Sequence, residues 1–85
     1  MMNTIFVMLK CELGRANAVA SDIVDNVRWV SEIYSTSGEY DLIAKFQLAK
    51  GADIGHFITH EVQTRAGIRE TFTIMTFSPF MDMST

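Results

Sequence analysis

The 85-residue chain holds one cysteine, one proline and seven basic residues, and its apolar runs are short. The lone thiol, Cys11, makes no internal disulfide and no thiolate metal cage, and no cluster of lysine, arginine or histidine surrounds it to activate it. That usage fits a reducing cytoplasm. The apolar stretch near the start is about six residues long and ends at Lys10, too short for a secretion signal or a membrane span, so a soluble, cytoplasmic protein is expected. The basic residues are scattered and the net charge is −3 with a pI near 5.1, which removes the main driving force for nucleic-acid binding, the neutralisation of phosphates. No direct contact with nucleic acid or membrane is expected. There is also no Gly-rich phosphate loop, no activated serine or cysteine and no scaffolded pair of carboxylates, so no enzyme and no cofactor are read here.

Apolar residues, by contrast, make up 48% of the chain and the mean hydropathy is +0.16. A body this small leaves much of its surface in water, so an apolar content this high predicts a single domain over residues 1–85 with part of its apolar set facing a second copy. The ordered core is expected over about 3–78, followed by a tail over 79–85.

Thr4 to Cys11 is β-branched, aromatic and nearly continuously apolar, as in a strand covered on both faces. After Gly14, apolar residues recur at 16, 19, 20, 23, 24 and 27, the stripe of an amphipathic helix over 15–27. Trp29 to Ser35 and Asp41 to Leu48 form a hairpin about Ser37-Gly38-Glu39, with Leu42, Ala44, Phe46 and Leu48 on one face. Asp53 caps a second helix running to about Arg65, its buried stripe set by Ile54, Phe57, Ile58 and Val62. Gly67 ends it with a positive φ, and Glu70 to Phe77 is the last strand, stopped by Pro79. The two helix exits, Val27-Arg28-Trp29 and Ala66-Gly67-Ile68, give the halves the look of a weak internal duplication. The order βαββαβ with right-handed crossovers predicts an α+β, ferredoxin-like fold: a four-stranded antiparallel sheet with two helices on one face. The other sheet face is left bare. Its cover is expected to be a second copy, sheet against sheet, in a dimeric α/β barrel.

His56 and His60 lie four apart, the spacing of two metal ligands on one helical turn, but both point away from the apolar stripe with no third ligand nearby, so they read as a solvated face. Glu61 and Arg65, also four apart, can pair as an ordinary helix ion pair or meet another subunit. The informative segment is Ser35 to Asp41. Gly38 permits a backbone conformation that brings amides close to a ligand, and Asp41 supplies a carboxylate suited to an ammonium group; a plain hairpin turn uses the same residues.

The run Ser37-Gly38-Glu39-Tyr40-Asp41-Leu42, with the exit Gly67-Ile68 and the strand Glu70-Thr71-Phe72-Thr73, resembles the C-terminal effector-binding (RAM) domain of the Lrp/AsnC regulators over about residues 3 to 78. The likeness is to stand-alone RAM proteins, without the helix-turn-helix domain of full-length members. It implies a non-catalytic, amino-acid-binding oligomerisation domain serving transcriptional regulation of amino acid metabolism. Implied partners are a small effector, a homodimer joined into octamers or similar rings, and full-length Lrp/AsnC regulators. The site it implies takes Gly38, Glu39, Tyr40 and Asp41 as a turn wall, Ser35 at the end of the second strand, and Ile74, Met75 and Thr76 from the last strand, with Tyr40 covering the ligand or packing across an interface. The alternative from another class is a small dimeric ferredoxin-like enzyme, such as a cofactor-free monooxygenase or isomerase, with a pocket enclosing His56 or His60.

Overall fold

In the computed structural model, which describes residues 2–80, the elements are β1 (Met2–Cys11), α1 (Ala16–Asn26), β2 (Val30–Ser35), β3 (Leu42–Ala49), α2 (Ile54–Phe57) and β4 (Ile68–Met75), with a π-helical turn, Ile58–Val62, continuing α2. The expected tail lies mostly outside the described residues. All strands join one antiparallel sheet in the order β2-β3-β1-β4. This is the ferredoxin-like arrangement predicted from the element order. No helix among the described residues is long and apolar enough to cross a membrane.

Alternation along the two central strands places the core. Ile5, Val7, Leu9 and Cys11 of β1 and Leu42, Ala44, Phe46 and Leu48 of β3 are buried on one face, against Val19, Ile23 and Val27 of α1 and its exit and Phe57, Ile58 and Val62 of α2 and its π turn. Phe57 meets Phe46 edge-on at 5.1 Å and Trp29 at 5.4 Å, an aromatic line running from the core to the surface. Both helix exits turn into their strands through a left-handed residue, Trp29 (φ 70°) and Gly67 (φ 90°). At Trp29 the conformation is costly for a side chain, about 1–3 kcal/mol. The ring's contact with Phe57 and the Arg28 guanidinium 4.1 Å above it offset that cost. At Gly67 a β-carbon would come within 2.9 Å of Val19.

Three expectations need correction. The second helix is not one α-helix to Arg65: Asp53 does cap it, accepting from the His56 amide at 3.0 Å, but after Phe57 the hydrogen bonding widens to the π pattern. Glu61 and Arg65 do not pair with each other's side chains. Glu61 binds Arg28 at 3.1 Å, and Arg65 donates to the Glu61 carbonyl and reaches Asp22 at 3.4 Å, tying the end of this segment to α1. The third concerns β4, expected to run from Glu70 to Phe77. It starts earlier and ends at Met75, and it turns Thr71, Thr73 and Met75 toward the helix side while Phe72 and Ile74 sit on the open face. Its two largest apolar side chains thus face away from the core, 53% and 43% exposed. Beside them on that open face lie Phe6 and Met8 of β1, opposite Ile74 and Phe72 in register.

Candidate ligand site at the β2–β3 hairpin

The hairpin is stitched to the sheet at both of its ends. Ser35 pairs with Leu42 as the last rung of the ladder, and beyond it Thr36 donates its amide to the Asp41 carbonyl (2.9 Å) and its hydroxyl to the Tyr40 carbonyl (2.8 Å). Gly38 has φ 103°, in the left-handed half of the map that glycine tolerates, and no atom lies within 4 Å of where a β-carbon would sit. Gly38 and Glu39 are exposed at the tip.

Asp41 is the hinge of the arrangement. Its amide donates to the Leu9 carbonyl at 2.8 Å, and its Oδ2 accepts the Cys11 amide at 2.7 Å. The second bond has a local cause. The last β1–β3 rung is Leu9↔Leu42, so Cys11 lies beyond the β3 ladder and its amide is taken up by the Asp41 carboxylate. Oδ1 accepts no hydrogen bond among the described residues and is left for another donor. Burial, then the nearby Asp41 charge, pushes the Cys11 thiol above its ordinary value, so the thiolate is disfavoured there.

Tyr40 lies over its own chain. Its ring stacks on Phe72 at 6.3 Å with 24° between planes, so the hairpin reaches across to the open sheet face. The β4 positions are elsewhere. Ile74 is opposite Phe6 on the open face, Met75 opposite Ile5 on the helix side, and Thr76 donates its hydroxyl to the Thr4 carbonyl at 2.6 Å. Leu9, beside Asp41, and Ile5, beside Met75, are four residues apart along β1, about 14 Å. Ser35, Gly38, Glu39, Tyr40 and Asp41 therefore form one group at one end of the sheet, and Ile74, Met75 and Thr76 a second group toward the other. Asp41 and Met75 are thus far apart, whereas Tyr40, stacked on Phe72, borders the same open-face patch as Ile74, two residues along β4. Three residues that hold the turn were not singled out from sequence: Thr36, Cys11 and Phe72. A threonine at the hairpin entrance is a common local acceptor and donor, but the Cys11 and Phe72 contacts span 30 and 32 residues and left no local signal.

The two histidines are exposed, as expected, with their rings stacked at 4.0 Å, and among the described residues there is no group of three or more His, Cys, Asp or Glu able to hold a metal ion. Neither lines the apolar groove beside β4 or the hollow on the open face lined by Phe6, Glu32, Tyr34, Ile43 and Lys45.

The structure is thus a βαββαβ sheet whose glycine–aspartate hairpin is bonded into the end of β1. The sequence profile of the Lrp/AsnC ligand binding domain matches residues 4–85, and the chain belongs to that family. Among solved structures it is similar to FFRP-DM1 (29% identity, TM-score 0.82, 89% of this chain and 100% of that one) and to the hypothetical protein PHS023 from Pyrococcus horikoshii (28%, 0.80, 93% and 94%). It shares its fold with AsnC of E. coli at 17% identity and TM-score 0.83, covering 98% of this chain and 56% of AsnC. It shares it also with the Neisseria meningitidis transcriptional regulator NMB0573, solved as its L-Met complex, at 12% identity and TM-score 0.81, covering 96% of this chain and 54% of that one. A comparison with curated proteins gives no match.

Proposed function

We propose that this chain is a non-catalytic, cytoplasmic effector-binding domain in the transcriptional regulation of amino acid metabolism, that its effector is an α-amino acid, and that the Ser35–Asp41 hairpin holds it. The observation that carries the reading is the half-used Asp41 carboxylate: one oxygen is committed to the Cys11 amide and the other is open beside an exposed, glycine-bearing turn. A carboxylate anchored by its own backbone is already oriented, so less ordering is lost when it takes an ammonium group. The amides around Gly38 and the hydroxyls of Ser35 and Thr36 are the donors available to an α-carboxylate. Membership of a ligand-binding family supports the reading, as does the L-Met bound by a protein of the same fold.

Met75 and Thr76 enter the site from another chain, since both lie toward the far end of the sheet from Asp41. That requires an assembly. The open face supplies one contact: Phe6, Met8, Phe72 and Ile74 form an apolar patch that Tyr40 borders, and a second copy laid sheet against sheet covers it. Rings built from such dimers, and mixed assemblies with full-length regulators, follow from the same reading. A thermal-shift screen of the twenty amino acids against the protein, followed by calorimetry on any that raise its melting temperature, tests it. A screen in which none stabilises the protein refutes the amino acid as effector.

A further inference from the structure

Past the end of β4 the chain carries two phenylalanines with nothing against them. Phe77 and Phe80 are 103% and 104% exposed, in a run, Phe77-Ser78-Pro79-Phe80, that is neither helix nor strand. One exposed apolar residue is ordinary on a protein surface; two aromatic rings wholly in water within four residues are not. The family profile runs through this segment to residue 85, so it is part of the domain.

A complementary surface lies along the neighbouring edge of the sheet. An open groove of about 530 Å³ runs between α2 with its π turn and β4, its walls formed by Ala52, Ile54, Ile58, Thr59, Thr73 and Met75. Those walls are mostly apolar. β4 is also an edge strand, so one side of its backbone has no ladder partner among the described residues. An apolar trough beside a free strand edge is the kind of surface that takes an extended segment with aromatic anchors, and a proline is tolerated at such an edge because it has no amide to leave unpaired. The groove is not filled by its own tail. The Thr76–Thr4 bond carries the chain onward beside β1, and both rings emerge in solvent. Every copy has the same bond to its own β1, and it leaves the rings of a second copy's tail free to enter this groove.

We infer that the groove between α2 and β4 receives the Phe77–Phe80 segment of a second copy of this chain. The contact is distinct from the open sheet face and does not rest on the effector reading. Full-length chains carrying Thr59→Cys and full-length chains carrying Ser78→Cys, which keeps both rings, co-expressed with different tags and oxidised, test it; Cys11 is buried and does not compete. The expected result is a disulfide-linked heterodimer at least tenfold more abundant than when Leu13→Cys, on another exposed position, replaces Ser78→Cys. Adding Met75→Glu in the groove should lower that yield, and Phe77→Ala should do the same from the tail. A yield no higher than the Leu13→Cys control overturns the inference. So does a doubly substituted chain, Thr59→Cys with Ser78→Cys, that closes its disulfide only within itself and never between copies, which would make the groove the seat of its own tail.

Discussion

Asp41 performs two separable tasks, and two substitutions tell them apart. In Asp41→Ala the Cys11 amide loses its acceptor. The bond is short, 2.7 Å, charge-assisted and partly buried, and Cys11 is only 6% exposed, so water replaces the carboxylate poorly. Hydrogen bonds to charged groups contribute roughly 1.5–3 kcal/mol, and an orphaned amide adds to the loss, so a destabilisation near the top of that range is expected. For a domain of this size each kcal/mol is worth about 4–8 °C in melting temperature, so the variant should melt well over 10 °C lower. Asp41→Asn keeps a neutral acceptor for the Cys11 amide and should cost about 1 kcal/mol, while removing the charge offered to an ammonium group. Amino-acid affinity should then fall by roughly 1.5–3 kcal/mol, about ten- to a hundredfold or more. Urea unfolding reports the first task and isothermal titration calorimetry the second. If Asp41→Ala unfolds like the parent, the capping argument is wrong. Should Asp41→Asn bind the best amino acid of the screen unchanged, Asp41 is a structural residue and the effector site lies elsewhere.

Other outcomes can be stated briefly. Gly67→Ala combines a left-handed φ with a β-carbon 2.9 Å from Val19 and should destabilise by roughly 2 kcal/mol, whereas Gly38→Ala meets no atom and costs about 1 kcal/mol from backbone strain alone; chemical denaturation of both checks the order. Phe72→Glu or Ile74→Glu places a charge on the open face and should leave sedimenting monomers, while a parent protein that is already a stable monomer of about 9.6 kDa at micromolar concentration would remove the dimer. The isolated protein, at net charge −3, should show no salt-sensitive affinity for duplex DNA, which a gel shift at low salt checks. The Cys11 thiol is pushed up from its ordinary 9.0, so folding favours the protonated form: its share of the stability is complete below pH 9.0 and is lost as the pH rises through the raised value. Denaturation of the parent and Cys11→Ala between pH 7 and 11 should therefore diverge only above 9.0, with the parent losing stability faster.

Much of this fold is written locally in the chain. The two-residue period of β3, the stripe of α1, the cap at Asp53 and the left-handed glycine at 67 are consequences of backbone geometry within a few residues, and so they, the element order and the sheet topology that follows from right-handed crossovers were legible in the sequence. The hairpin at Gly38 was legible for the same reason. What needed the tertiary structure was everything fixed by partners distant along the chain. The widening of the second helix into a π turn accompanies the packing of Phe57, Ile58 and Val62 into the core and the ties from Glu61 to Arg28 and from Arg65 to Asp22, none of which has a local sign. The face on which Phe72 and Ile74 fall is set by register with β1, since a shift of one residue would exchange the two sides of β4. Asp41 could be read from sequence as a turn residue or as a ligand residue; that its carboxylate also holds the Cys11 amide, thirty positions away and beyond the last β1–β3 rung, was visible only once the strands were paired.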